Sequence, residues 1–146
     1  MPADKKECCI ARIPARFLRP SGKSERRQPR EVPHILIVER DDALAASHES
    51  LVHDAGYSVS ASWSNYISAG RWLNAHNPDA AILDVKLQDR FCIALAKKLS
   101  ARHIPFLAVS GWPADTPGVD RIFQSATWLE KPVTYAGLQL ALRSIL

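Results

Sequence analysis

The chain has 146 residues, 47% of them hydrophobic and 23% charged, which suits one ordinary domain with a real core. No apolar run approaches the roughly 18 residues of a membrane span, and the N-terminus lacks the apolar heart of a secretory signal, so the expected location is the cytoplasm. The net charge of +4 is uneven: residues 1–31 hold nine Lys/Arg against four acids, and the remaining 115 hold ten against eleven.

The chain therefore opens with a basic extension, residues 1–32, whose "RPSGKSERRQPREVP" is rich in Pro, Ser and Arg and reads as a disordered leader. It is either an arm drawn to nucleic acid or anionic lipid, or a solvated extension, or the product of a start codon placed too early. From Pro33 short apolar runs alternate with helical spacing. "HILIV" is apolar on both faces, as a strand covered on both sides must be. Leu44, Leu51, Val52 and Ala55 then recur at helical intervals until Gly56 stops the helix. "YSVSASW" alternates, as a strand nearer the sheet edge does. Ser64 is the expected cap of a second helix over about 65–75, ending at "NP".

"AAILDV" is a second doubly buried strand, and Ile93, Leu95, Ala96 and Leu99 mark a third helix. The apolar "IPFLAVS", the loop "GWPADTPG", the weakly periodic "VDRIFQS" and the strand "ATWLE" follow. After "KP" a last helix opens at Thr134, with Leu138, Leu142 and Ile145 on one face. Five strands alternating with about five helices predict a parallel sheet sandwiched between helices over residues 33–146. In such sheets function gathers beyond the carboxyl ends of the strands.

Those ends carry Glu39, Arg40 and Asp41, then Asp84, Ser110 and Lys131. Two sets of carboxylates, a hydroxyl and an amine are thus expected in one crevice. With "HILIVER", "PDAAILDVKL", "PFLAVSG" and "WLEKP" in this order, and "AGY" after the first helix, the chain from about 34 to 146 resembles a two-component response-regulator receiver domain. The resemblance implies a doubly wound, flavodoxin-like sandwich of strand order 2-1-3-4-5, and "DVKLQDRFCIALAKKL" with "IPFLAVSGW" resembles a subgroup of short, single-domain receivers with an atypical fourth helix. It also implies that Asp84 accepts a phosphoryl group from a histidine kinase or phosphotransfer protein. Mg²⁺ would be held by Glu39, Asp41, Asp84 and the Lys86 backbone carbonyl. Lys131, followed by Pro132 where the family has a cis peptide, and Ser110 would contact the phosphoryl group, and Trp128 would stand where a switching aromatic is usual. Downstream partners would dock on the face of the fourth helix, fifth strand and fifth helix, making Trp112, Trp128 and Tyr135 candidate contacts.

The physical logic of such a site is general. A carboxylate attacks phosphorus only where charge on the transferred oxygens is neutralised, and metal ions with a lysine are the usual means. Arg40 departs from the pattern, standing where the main metal-binding aspartate would be, so Mg²⁺ binding is expected to be weak or lost. Two carboxylates about 5 Å apart at an effective dielectric near 20 repel by about 3 kcal/mol. Arg40 is expected either to offset this as a counter-ion to Glu39 and Asp84, or to face solvent while Asp41 turns in. Gln88 and Cys92 stand where proline and glycine are common, which suggests a loop of different shape.

Other chemistries find little footing. His34, His48, His53, His76 and His103 show no metal spacing and read as ordinary surface or core residues. Cys8, Cys9 and Cys92 match no zinc or redox pattern. There is no Gly-rich phosphate loop and no nucleophile elbow, and Lys86 replaces the second acid of an aspartate-based phosphatase, so the chain is not expected to be an enzyme. The expected function is a single-domain response regulator signalling through a partner protein. The alternative is a pseudo-receiver, a protein-binding module in which Arg40 has abolished phosphorylation.

Overall fold

The computed structural model of the protein describes residues 32–146, so the expectations placed on the basic extension fall, except at Val32, outside the described residues. The elements follow in the order β1 (His34–Val38), α1 (Asp42–Asp54), β2 (Ser58–Trp63), α2 (Tyr66–Leu73), β3 (Ala80–Asp84), α3 (Arg90–Ala101), β4 (Phe106–Ser110), a 3-10 turn (Arg121–Phe123), β5 (Thr127–Glu130) and α4 (Tyr135–Ile145). The five strands are parallel and ordered β2-β1-β3-β4-β5. The alternating "YSVSASW" indeed forms an edge strand. No helix among the described residues is long and apolar enough to cross a membrane.

Both faces of the sheet are covered because the central strands are apolar in both directions. In β1, Leu36 and Val38 face one core with Leu83, α2 (Leu73) and α3 (Leu95, Leu99), while Ile35 and Ile37 face the other with Ile82, Val109, α1 (Val52) and α4 (Leu138, Leu142). Each fully buried aliphatic side chain of this kind stabilises the fold by about 1.5–3 kcal/mol.

The helices begin where a short polar side chain can accept from an orphan N–H. Asp41 accepts from Leu44 N, Asn65 from Ser68 N, Asp89 from Phe91 N and Cys92 N, and Thr134 from Gly137 N. The cap of α2 is Asn65 and not Ser64, and the helix ends two residues earlier than expected, at Leu73. Lys98 Nζ of α3 donates to Gly70 O at 2.7 Å, and Arg102, the residue that caps the end of α3, donates to Leu73 O and, past the end of α2, to His76 O. After α1, Gly56 takes φ +94°, the left-handed turn that a Cβ would disfavour.

One of the about five helices expected from the alternation is missing, in keeping with the resemblance to receivers whose fourth helix is atypical. Where a fourth of five was anticipated there is only the 3-10 turn Arg121–Phe123, so the last helix of the chain is α4. Pro117 and Gly118, the latter at φ +97°, break the chain just before it, and β5 starts at Thr127, leaving no room for several turns.

Candidate functional site

The strand register gathers the site. Val38 pairs with Leu83, Asp84 with Val109, and Ser110 with Glu130, so Glu39, Asp84, Ser110 and Lys131 stand abreast at one rim. Backbone bonds beyond the strands continue the ladder there: Glu39 N to Trp63 O, Val85 N to Val109 O and Lys131 N to Ser110 O, at 2.8–3.0 Å. These main-chain ties fix where each functional side chain starts.

Lys131 is the centre of charge. Its Nζ lies 2.9 Å from Asp84 Oδ1 and 3.1 Å from Glu39 Oε1, and donates a longer bond of 3.4 Å to Glu39 Oε2. The Lys131–Pro132 peptide is cis. Burial alone would lower the Lys131 ammonium, but its hydrogen bonds to Asp84 and Glu39 outweigh this and raise it. Glu39 is 2% exposed, and burial pushes its carboxyl above the usual range. The Asp41 N–H and Lys131 oppose that push, and the Asp84 charge adds to it. Lys131 holds Asp84 Oδ1, and no hydrogen bond among the described residues reaches Oδ2.

Ser110 is buried beside them. Its Oγ accepts from Trp112 N at 3.0 Å, which leaves the hydroxyl hydrogen free to donate elsewhere. Trp128, half-buried, packs edge-on against Phe123 and donates from Nε1 to Trp112 O at 2.9 Å. It thereby ties β5 to the loop that follows Ser110. Trp112 and Tyr135 are exposed. The surface expected to include a fourth helix is built from the 3-10 turn, β5 and α4 instead.

Two expectations about the acids fail. Arg40 is exposed and makes no ion pair among the described residues, so it does not act as counter-ion to Glu39 and Asp84; Lys131 does. A second cation in that seat would meet the ammonium at close range, which favours a solvent-facing guanidinium. Asp41 does not turn in either. Its carboxylate caps α1, and only its N–H reaches the site, donating to Glu39 Oε2 at 3.1 Å.

This arrangement tests the fit of the expected Mg²⁺. A hard divalent ion wants several oxygens in octahedral array. Of the expected donors, Glu39 and Asp84 already share the Lys131 ammonium, Asp41 is engaged elsewhere, and the Lys86 carbonyl accepts from Asp89 N at 3.2 Å. Among the described residues no three His, Cys, Asp or Glu side chains converge as metal ligands. The donor set does not fit an ordinary Mg²⁺ centre.

Sequence reasoning missed two residues. His48 is 3% exposed, and its Nδ1, without a hydrogen-bond partner among the described residues, lies 3.9 Å from Glu39 Oε1. Burial lowers its imidazole pKa, Lys131 lowers it further, and Asp84 opposes them. The signal was its helical spacing with Leu51, Val52 and Ala55, a polar residue in an apolar stripe. Tyr66, also buried, donates from its hydroxyl to Asp84 O at 2.6 Å and pins the main chain at the end of β3, with Cys92 Sγ at 3.8 Å from the same oxygen. Gln88, at φ +60°, shapes the following loop, and its amide packs where a Cβ on Gly118 would have to go.

No family model and no curated protein sequence matches the chain. Solved structures do. The chain is similar to a CheY-like response regulator receiver domain from Methylobacillus flagellatus, at 27% identity and TM-score 0.67, covering 80% of this chain and 100% of that one. It is similar to the BeF3-activated conformation of SdrG from Pseudomonas melonis Fr1, at 30% identity and TM-score 0.67, covering 80% and 99%. It is also similar to the signal receiver domain of a modulated diguanylate cyclase from Desulfovibrio desulfuricans G20, at 25% identity and TM-score 0.66, covering 79% and 94%.

Proposed function

Because the chain belongs to the response-regulator receiver family, we propose that it accepts a phosphoryl group on Asp84 from a histidine kinase or phosphotransfer protein and relays that change to a protein partner. The observation that supports this most is the Lys131 ammonium 2.9 Å from Asp84 Oδ1, with Oδ2 left without a hydrogen bond among the described residues. In the transfer, Oδ2 forms a bond to phosphorus as the P–N bond of the phosphohistidine breaks, and the leaving imidazole keeps the electron pair. Lys131 and the Ser110 hydroxyl take the charge that gathers on the phosphoryl oxygens. Mg²⁺ is bound weakly or not at all. Trp128, linked through Trp112 to the Ser110 loop, carries the change toward the surface of β5 and α4, where Trp112 and Tyr135 are exposed to a partner. In this reading the chain is a cytoplasmic phosphoryl acceptor and not an enzyme.

The outward Arg40 and the capping role of Asp41 favour a second reading, a pseudo-receiver that binds partners without being phosphorylated. Incubation with acetyl phosphate and Mg²⁺ followed by intact mass separates the two. The receiver reading expects the mass of one phosphoryl group, absent from Asp84→Asn; an unchanged mass in both supports the pseudo-receiver.

A further inference from the structure

The mismatch between this pocket and a divalent ion leaves the problem of charge on an incoming phosphoryl group. Lys131 lies between Glu39 and Asp84, where it offsets their repulsion from within the pocket. Ser110 offers one hydrogen. On the solvent side the chain places Arg40, next to Glu39 at the end of β1, exposed and with no ion pair among the described residues. Val38 pairs with Leu83, so Arg40, two residues past the end of β1, lies at the same rim as Asp84, the last residue of β3. A guanidinium is always charged and presents five donors in a planar fork that matches the oxygens of a phosphoryl group.

We infer that Asp84 takes up the phosphoryl group without a divalent cation, the guanidinium of Arg40 binding its oxygens from the solvent side while Lys131 and Ser110 bind them from within. This rests on the receiver reading. No co-reactant is needed beyond the donor, since the bond from Asp84 Oδ2 to phosphorus forms as the bond to the donor nitrogen breaks and the released amine picks up a proton from water. Arg40 is idle in the resting state by this account, its donors waiting for an anion.

The test uses the full chain, phosphoramidate as donor and intact mass as readout, with EDTA in one arm and Mg²⁺ in the other. The wild-type chain is expected to gain the phosphoryl group at similar rates in both. Arg40→Gln is expected to slow uptake in both by roughly ten- to a hundredfold, the loss of a charged hydrogen-bonded contact. Arg40→Asp is expected to be slow with EDTA and to recover with Mg²⁺. Because Arg40 is exposed, all three chains are expected to melt together. Uptake by wild type with Mg²⁺ alone, or an unslowed Arg40→Gln, overturns the inference and leaves the receiver reading standing. Labelling of Arg40→Asp alone overturns it in favour of the pseudo-receiver, and labelling of no chain in either arm overturns the receiver reading itself.

Discussion

Lys131 Nζ lies 2.9 Å from Asp84 Oδ1 although 47 residues separate them in sequence, and the same ammonium reaches Glu39 at 3.1 Å. One cation thus serves two carboxylates from two strands. Lys131→Met removes it and leaves Glu39, 2% exposed, facing Asp84 with nothing positive between them. Uncompensated buried charge of this kind costs about 3 kcal/mol. Urea denaturation of Lys131→Met at pH 7 is expected to show a loss of that size. Adding Glu39→Gln should restore much of it, whereas a double variant no better than the single one speaks against the shared-cation account.

The pH dependence of stability follows from Glu39. Its folded pKa lies above its ordinary value of 4.5, so between that value and the folded one the native chain holds more proton than the unfolded chain. Stability is therefore expected to fall as pH rises through this window. Glu39→Gln should remove the fall, as read from urea midpoints at successive pH values; a slope unchanged in the variant assigns it elsewhere.

His48 acts with the opposite sign. Its folded pKa is lowered from the ordinary 6.5, chiefly by burial, so just below pH 6.5 the unfolded chain takes up a proton that the native chain refuses. Stability conferred by the neutral ring is lost as pH drops below 6.5. His48→Leu, which keeps the buried volume near Glu39 apolar, is expected to flatten the decline of the melting temperature between about pH 6.5 and the folded pKa. A variant that declines as steeply as wild type contradicts the assignment.

Asp41 separates structure from site. Its Oδ1 accepts from Leu44 N at 3.0 Å as the cap of α1. Asp41→Ala is expected to cost about 1 kcal/mol of stability. A Mg²⁺ titration followed by tryptophan fluorescence should be no weaker than in wild type, because that carboxylate is turned to the helix; a clear loss of Mg²⁺ affinity would show that it turns in as a ligand.

Much of the site was legible because strand ends are. Apolar runs such as "HILIV" and "AAILDV" fix where each strand stops, and a parallel register then brings positions 39, 84, 110 and 131 to one rim whatever the side chains do. Side-chain direction is a different matter. The position of Arg40 beside Glu39 was readable, but whether its long side chain turned inward depended on Lys131 already filling the space between the carboxylates. Asp41 could serve as ligand or as cap, and the orphan N–H of Leu44 settled it. Ser64 and Asn65 are both competent caps; the apolar stripe of Tyr66, Ala69 and Leu73 set the helix phase that favoured Asn65. The missing helix reflects too short a segment between Gly118 and β5, where weak periodicity in "VDRIFQS" was no guide to length. His48 escaped because a single polar residue in an apolar stripe carries no motif.

The most direct test of the central claim is to treat the chain with phosphodonor, trap any acyl phosphate with borohydride and map the product by peptide mass spectrometry. Reduction of a phosphorylated Asp84 yields homoserine at position 84, and the account predicts that product there and at no other acid. An unmodified Asp84, or homoserine appearing instead at another aspartate, would contradict it.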